Sequence, residues 1–325
     1  MPQQSIQYAL GRIGVQGRYA LKAAQLERLY VAKGYDEARR ALMEIGFTDN
    51  ETADFQAVAD EHVQHACQLI RAVTPLPEVT DCFQLRYDVH NLKVLLKSRF
   101  LAKRPEYLSA CGAFDVEKLR HAVAEHSYHA LPDIFREALD QLEKQLAVKL
   151  DPLLIDVQLD QAMYRYAFAR LAPYKGSPAY RYFASKADLQ NMVMLLRARA
   201  MGKNAAFFAD IALEGGNVPV RALRNAFEEP DRLPKLMGAY GPRVQLAVAR
   251  AALDSKALPA LEKEMDDYLL GLFAPCKYQS DGVEPLIRYL LLRQREATDV
   301  RLILAGKLNG FSQEAVAERV RGLNA

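Results

Sequence analysis

The sequence predicts an all-α protein built from three unequal copies of one helical unit. Apolar residues recur at helical spacing along most of the 325-residue chain, and sustained alternation of polar and β-branched residues is absent. One helical stretch returns twice in ungapped register, which is the mark of internal duplication. The recurrences share the same surroundings: a helix and a Pro-bearing connection before, a turn and a capped helix after.

The first copy is Phe83 to Lys103, FQLRYDVHNLKVLLKSRFLAK. The others are Phe183 to Lys203, FASKADLQNMVMLLRARAMGK, and Leu291 to Phe311, LLRQREATDVRLILAGKLNGF. Aligned, they keep an acid at Asp88, Asp188 and Glu296 and an amide or acid at Asn91, Asn191 and Asp299, spaced 100 and 108 residues apart. An apolar block follows, then a small residue at Ser98, Ala198 and Gly306 and a cation at Arg99, Arg199 and Lys307. Acid and cation lie 11 residues apart in each copy, about 16 Å along nearly the same helical face, too far to pair with one another. The expectation is that they complement the two ends of their own helix dipole, each worth about 0.3 to 1 kcal/mol; the alternative is that the acid of one copy meets the cation of a neighbour.

In chain order, Gln7 to Gly46 reads as short helices, with Leu21, Leu26, Leu29 and Tyr30 near one face. Gly11, Gly14 and Gly17 lack both the G-x-G-x-x-G spacing and a preceding β-branched strand, so a flexible or closely packed lead-in is expected instead of a phosphate loop. A helix from about Thr52 to Val73 ends at VTPLPEVT, where proline stops it. The same order returns as Asp156 to Leu171 before APYKGSPAY, and as Leu261 to Phe273 before APCKYQSDGVEP. Capped helices are expected to begin near Asp115, Asn217 and Ser312, each a good N-cap side chain, with Pro219 just inside the second.

Charged residues make up 26% of the chain and nearly cancel at +3, so no basic field argues for nucleic acid. Cys67, Cys82, Cys111 and Cys276 are scattered, which argues against a disulfide framework and for a reducing compartment. No signal-peptide pattern and no long uninterrupted apolar run occurs, so membrane association is expected only through a partner. His62 with His65, and His126 with His129, have helical spacing but no third zinc ligand or H-E-x-x-H motif, so no metal site is expected. Gly306-Lys307 lacks the Walker glycine, because position 301 is Arg, and no Ser or Thr follows. Asp88 with Asn91 resembles an acid and its helper, but a threefold-repeated pair suits a structural role better than a unique catalytic one. Neither a catalytic residue nor a cofactor is predicted.

YDVHNLKVLLKSR, ADLQNMVMLLRAR and EATDVRLILAGKLNGFSQEAVAERV, together with the early LKAAQLERLYVAKGYDEARRAL, resemble the central-stalk C-type component of archaeal and bacterial V-type ATPases, whose eukaryotic relative is the d-type component of the V-ATPase. That resemblance implies a pseudo-threefold funnel of helical domains over residues 1–111, 112–214 and 215–325. It also implies a non-catalytic rotor part, monomeric when isolated and present once per complex. The implied partners are the central-shaft subunits of D and F type and the proteolipid ring, on the cytoplasmic face of the membrane. Cations around the copies, Arg86, Lys93, Lys97, Lys186, Arg197, Arg293, Arg295 and Arg301, are the expected partner contacts. The alternative is a helical-repeat scaffold that binds peptides, although such periods typically run to about 20–50 residues and these are at least twice as long.

Overall fold

The computed structural model describes residues 5–17, 20–48, 54–105 and 107–321, and every regular element among them is helical. The chain opens with α1 (Ile6–Gly17), α2 (Ala23–Val31), α3 (Tyr35–Glu44), α4 (Phe55–Val73) and the single turn α5 (Pro77–Thr80). Gly11, Gly14 and Gly17 lie within α1 and face open space, so the glycine triplet is neither a loop nor a site of close packing. The expected start of α4 near Thr52 falls outside the described residues.

Next come α6 (Leu85–Phe100), α7 (Val116–Ala124), α8 (Asp133–Val148), α9 (Pro152–Leu171), α10 (Pro178–Ala200), α11 (Ala205–Ile211), α12 (Val220–Asn225) and α13 (Leu233–Leu236). The chain continues with α14 (Gly241–Leu253), α15 (Leu258–Gly271), α16 (Glu284–Leu308) and α17 (Gln313–Ala317). The repeated sequences form α6, α10 and the C-terminal part of α16. The helix and Pro-bearing connection before each are α4, α9 and α15 with the prolines that follow them. Contacts divide the chain into two compact units, 1–80 with 240–325, and 81–239. The expected limits after residues 111 and 214 fall in loops, one between α6 and α7 and one between α11 and α12.

Each long helix ends in the same tight turn, because the last residues face solvent and their carbonyls need donors. Lys103 N–H donates to Ser98 and Ala102 N–H to Arg99; Lys203 donates to Ala198 and Gly202 to Arg199; Phe311 donates to Gly306 and Gly310 to Lys307. This is the Schellman pattern, which requires a left-handed residue. Gly202 and Gly310 supply it at φ 66° and 68°, whereas the first copy holds Ala102 at φ 51°. A Cβ in that conformation costs about 1 kcal/mol. Ala102→Gly is therefore expected to stabilise the protein by about 0.5 to 1 kcal/mol, and urea unfolding beside the unchanged chain checks this.

The capped helices differ from expectation at one position. Asp115 and Ser312 accept hydrogen bonds from Lys118 N–H (2.9 Å) and Ala315 N–H (3.2 Å), as N-caps should. Asn217 is not a cap: α12 starts at Val220 behind Pro219, and the Asn217 N–H is bound elsewhere. The cap corresponding to Ser312 is Asn204, which accepts from Phe207 N–H at 2.9 Å and begins α11 directly after the turn. Ser312 therefore pairs with Asn204, and Asp115 with the segment around Asn217.

In the unit made of both chain ends, α2, α3 and α16 share one core. Leu26, Leu29, Ala38 and Leu42 pack with Val300, Ile303, Leu304 and Val316, each large side chain contributing about 1.5 to 3 kcal/mol on burial. In the 81–239 unit, α9 packs against α6, α8 and α10. Phe83 ties the start of α6 to Tyr182 and Phe183 of α10 at centroid distances of 5.0 and 5.2 Å.

Candidate functional site

The repeated polar residues form clamps that fasten each long helix to its neighbours. In the first copy, Asn91 Nδ2 donates to the Ser109 carbonyl (2.8 Å) and Asn91 Oδ1 accepts from the Ser109 N–H (2.7 Å), holding one residue's backbone by both groups. In the second, Asn191 holds Leu213 in the same way, at 2.8 Å for each bond. Asp299 occupies this place in the third, and its Oδ1 accepts from Arg321 N–H at 2.9 Å. A carboxylate cannot supply the missing donor, and Oδ2 is buried with no hydrogen-bond partner among the described residues. Burial pushes this carboxyl up to about 7, against the pull of the Arg321 N–H and the Arg295 and Arg321 charges.

The acids three residues earlier bind the start of a short helix. Asp88 accepts from Ala113 N–H (2.8 Å) and Phe114 N–H (2.9 Å), just before α7. Asp188 accepts from Asn217 N–H (2.7 Å) and Val218 N–H (3.1 Å), just before α12. Both loops approach so closely that glycine is required: a Cβ on Gly112 or Gly216 would lie 2.0 Å from Oδ1 of Asp88 or Asp188.

Glu296 finds its helix at the other end of the chain. It accepts from Leu21 N–H at 3.1 Å, just before α2. Two further groups meet its Oε2, Arg293 Nη1 and His62 Nε2, each at 2.8 Å. Burial lowers His62 more than the Glu296 bond raises it. The ring stacks on Phe47 with centroids 4.1 Å apart, beside a polar cavity of about 320 Å³ that Lys22, His65 and Tyr289 also line.

The cations hold the far ends of the same short helices. Arg99 Nη1 donates to the Val123 carbonyl at the end of α7 (2.8 Å), and Nη2 pairs with Glu143 (2.7 Å). Burial raises the Glu143 carboxyl, but hydrogen bonds from Tyr128 and Arg99 outweigh it and hold the group below the usual range. Lys307 Nζ donates to the Tyr30 carbonyl at 2.8 Å and also to Ala32, at the end of α2. In the second copy α12 is shorter, and Arg199 Nη1 is buried without a hydrogen-bond partner among the described residues.

The 11-residue interval is thus the length of a neighbouring helix. In the first and third copies the acid takes that helix's N-terminal amide and the cation its C-terminal carbonyl, each at the favourable pole of its dipole. The expectation that the pair serves its own helix is corrected for two of the acids, since Asp188 and Glu296 lie deep inside α10 and α16. Asp88 stands in the first turn of α6, and Arg99, Arg199 and Lys307 stand in the last turns of their own helices, as expected.

The expected partner-contact cations have varied surroundings. Lys93 and Lys97 pair with Asp160 and Asp156 on α9, each at 2.7 Å. Arg293 is buried, donating to Glu296 and, at 2.8 Å, to the Gln16 carbonyl. Arg295 is buried against Asp267 at 2.7 Å, and Arg301 pairs with Asp60. Lys186 lies over the Tyr182 ring, 5.3 Å from its centroid, while Arg86 and Arg197 are exposed. Among the described residues no group of side chains could hold a metal ion, and no helix is long and apolar enough to cross a membrane.

Residues 9–319 match the ATP synthase (C/AC39) subunit family. The chain is 25% identical to the C-type component of the V-type sodium ATPase of Enterococcus hirae over 282 residues, covering 84% of each. It is 22% identical to the C-type component of the A-type ATP synthase of Methanosarcina mazei, covering 96% of this chain and 92% of that one. To the corresponding component of the A-type ATP synthase of Halorubrum lacusprofundi it is 26% identical, covering 71% and 70%. The chain belongs to the ATP synthase (C/AC39) subunit family, a structural and not a catalytic part of V/A-type ATPases.

Proposed function

We propose that this protein joins the central shaft of a rotary V/A-type ATPase to its proteolipid ring and transmits torque between them. The observation that carries this reading is the thrice-repeated clamp. A coupling part must turn without shearing, and buried carboxylates and amides that bind backbone give stiff, directional joints between helices. Three related, though unequal, joints in one chain also suit a body arranged around an axial partner. On this reading the three copies form three domains of a funnel, over 1–111, 112–214 and 215–325. One copy of the chain sits on the cytoplasmic face, receives the D/F-type shaft and rests on the ring, with ion transport linked to ATP synthesis or hydrolysis elsewhere in the complex.

Broad contact resists slipping better than one anchor, so single substitutions at the exposed Arg86 and Arg197 or at Lys186 should each be mild. The ion pairs of Lys93, Lys97, Arg293, Arg295 and Arg301 lie within their own units, and a contact there would need those pairs to open. The test is reconstitution. Purified chain added to shaft and ring together should restore coupling of hydrolysis to ion transport, and complexes without it should hydrolyse without pumping. Normal pumping in its absence would refute the reading.

A further inference from the structure

Within the 81–239 unit, exposed aliphatic side chains gather at one end. Lys93 pairs with Asp160 and Lys97 with Asp156, so α6 and α9 run antiparallel and Leu101 comes to the Pro152 end of α9. Gln158 bonds Gln145, which brings Val148, Leu150 and Leu153 to that end through the α8–α9 turn. Phe168 meets Tyr180, with ring centroids 5.6 Å apart, and Tyr164 bonds Gln190, so α10 also runs against α9 and delivers Met201 there. Val148 is 88% exposed, Met201 67% and Leu101 57%. They stand at the ends of α6, α8 and α10, where exposed apolar side chains can insert between lipid headgroups.

The charge around them is mostly positive. In residues 101–105, 148–153 and 201–203, the cations Lys103, Arg104, Lys149 and Lys203 are exposed, and the sole acid, Asp151, caps α9 by accepting from Leu153 N–H. Of the acids on α8 and α9 near this end, Asp156, Asp160 and Glu143 are paired with Lys97, Lys93 and Arg99, and Glu106, just past residue 105, lies outside the described residues. A patch this basic stands out on a chain whose formal charge is only +3. Apolar tips flanked by an excess of cations are the chemistry of an anionic bilayer surface.

We infer that this end of the 81–239 unit docks on anionic phospholipid, adding a direct membrane contact to any contact with the ring. The inference does not depend on the rotor reading, because its test contains no shaft and no ring. The full chain is sedimented with vesicles of phosphatidylcholine alone and of phosphatidylcholine mixed with phosphatidylglycerol. Binding is expected to the mixed vesicles only, to fall about five-fold for each lysine lost in Lys149→Glu and Lys203→Glu, and to fall further in Val148→Asp with Met201→Asp. The control reverses Lys175 and Arg181, exposed at the opposite end of α9 and α10. Equal loss in that control would show general charge attraction and overturn the inference. So would an absence of binding to mixed vesicles at low salt, or loss of ring binding in detergent by these variants without any vesicle binding.

Discussion

Gly216→Ala is expected to cost about 3 to 5 kcal/mol, because the new Cβ would stand 2.0 Å from Asp188 Oδ1 in a place that only movement of the carboxylate can relieve. Asp188 is wholly buried and accepts from two backbone amides, at 2.7 and 3.1 Å. Hydrogen bonds to a buried charge are worth about 1.5 to 3 kcal/mol each, and the charge left behind is itself expensive. The thermal transition should fall by roughly 6 to 15 °C, and the Asn217 and Val218 amides should lose protection from hydrogen exchange. A double-mutant cycle identifies the cause: in an Asp188→Ala background, Gly216→Ala should cost under about 1 kcal/mol. Full additivity of the two substitutions would mean that the carboxylate is not what the methyl group meets. Gly112→Ala should behave likewise against Asp88.

Asp299→Asn is expected to stabilise the protein at neutral and alkaline pH and to leave it nearly unchanged in mild acid. The folded carboxyl sits at about 7, raised from an unfolded value near 4, so the folded form is favoured by protonation. Its contribution is full below about pH 4 and is lost at about 1.4 kcal/mol per unit as pH rises to about 7, then stays flat. Arg295 and Arg321 favour the charge while burial and Asp266 oppose it, and burial is the largest influence. Asparagine offers Arg321 the two-bond clamp that Asn91 and Asn191 give Ser109 and Leu213. The difference in stability between Asp299→Asn and the unchanged chain should therefore grow from pH 5 to pH 7 by about 2 to 3 kcal/mol. A difference independent of pH would show that Asp299 is ionised throughout.

Much of this was legible in the sequence, since residues that clamp backbone repeat as residues while the backbone they clamp does not. Asp88, Asn91 and Arg99 stand out because their types recur at fixed spacing. Their partners, the amides of Ala113 and Phe114 and the carbonyl of Val123, belong to the main chain and leave no side-chain signal. Gly112 and Gly216 could have been found, because each begins the loop whose amides meet the acid; their flanking sequences read as ordinary turns. Asn204 and Asn217 have the same capping chemistry, and only three-dimensional pairing separates the true cap from the bound loop. The run RQREATD is almost wholly polar, and Arg293 and Arg295 are among the expected partner contacts, yet Arg293, Gln294, Arg295, Glu296 and Asp299 are all buried, because N-terminal helices and α15 cover them. Periodicity detects hydrophobic burial, and a polar face buried by ion pairs escapes it.

The bonds from Leu21 to Glu296 and from Lys307 to Tyr30 join positions 275 and 277 residues apart in the chain. That separation sets a timetable for the nascent protein. At about 5 to 20 residues per second of synthesis, the first eighty residues leave the ribosome about 10 to 50 s before the helix that completes their core. Through that interval the apolar faces of α2 and α3 have no permanent cover, while residues 81–239 already carry both halves of their own clamps. The opening segment is thus the stretch most exposed to chaperones and proteases during biogenesis. A chain arrested after α15 should be cleaved first within its first eighty residues.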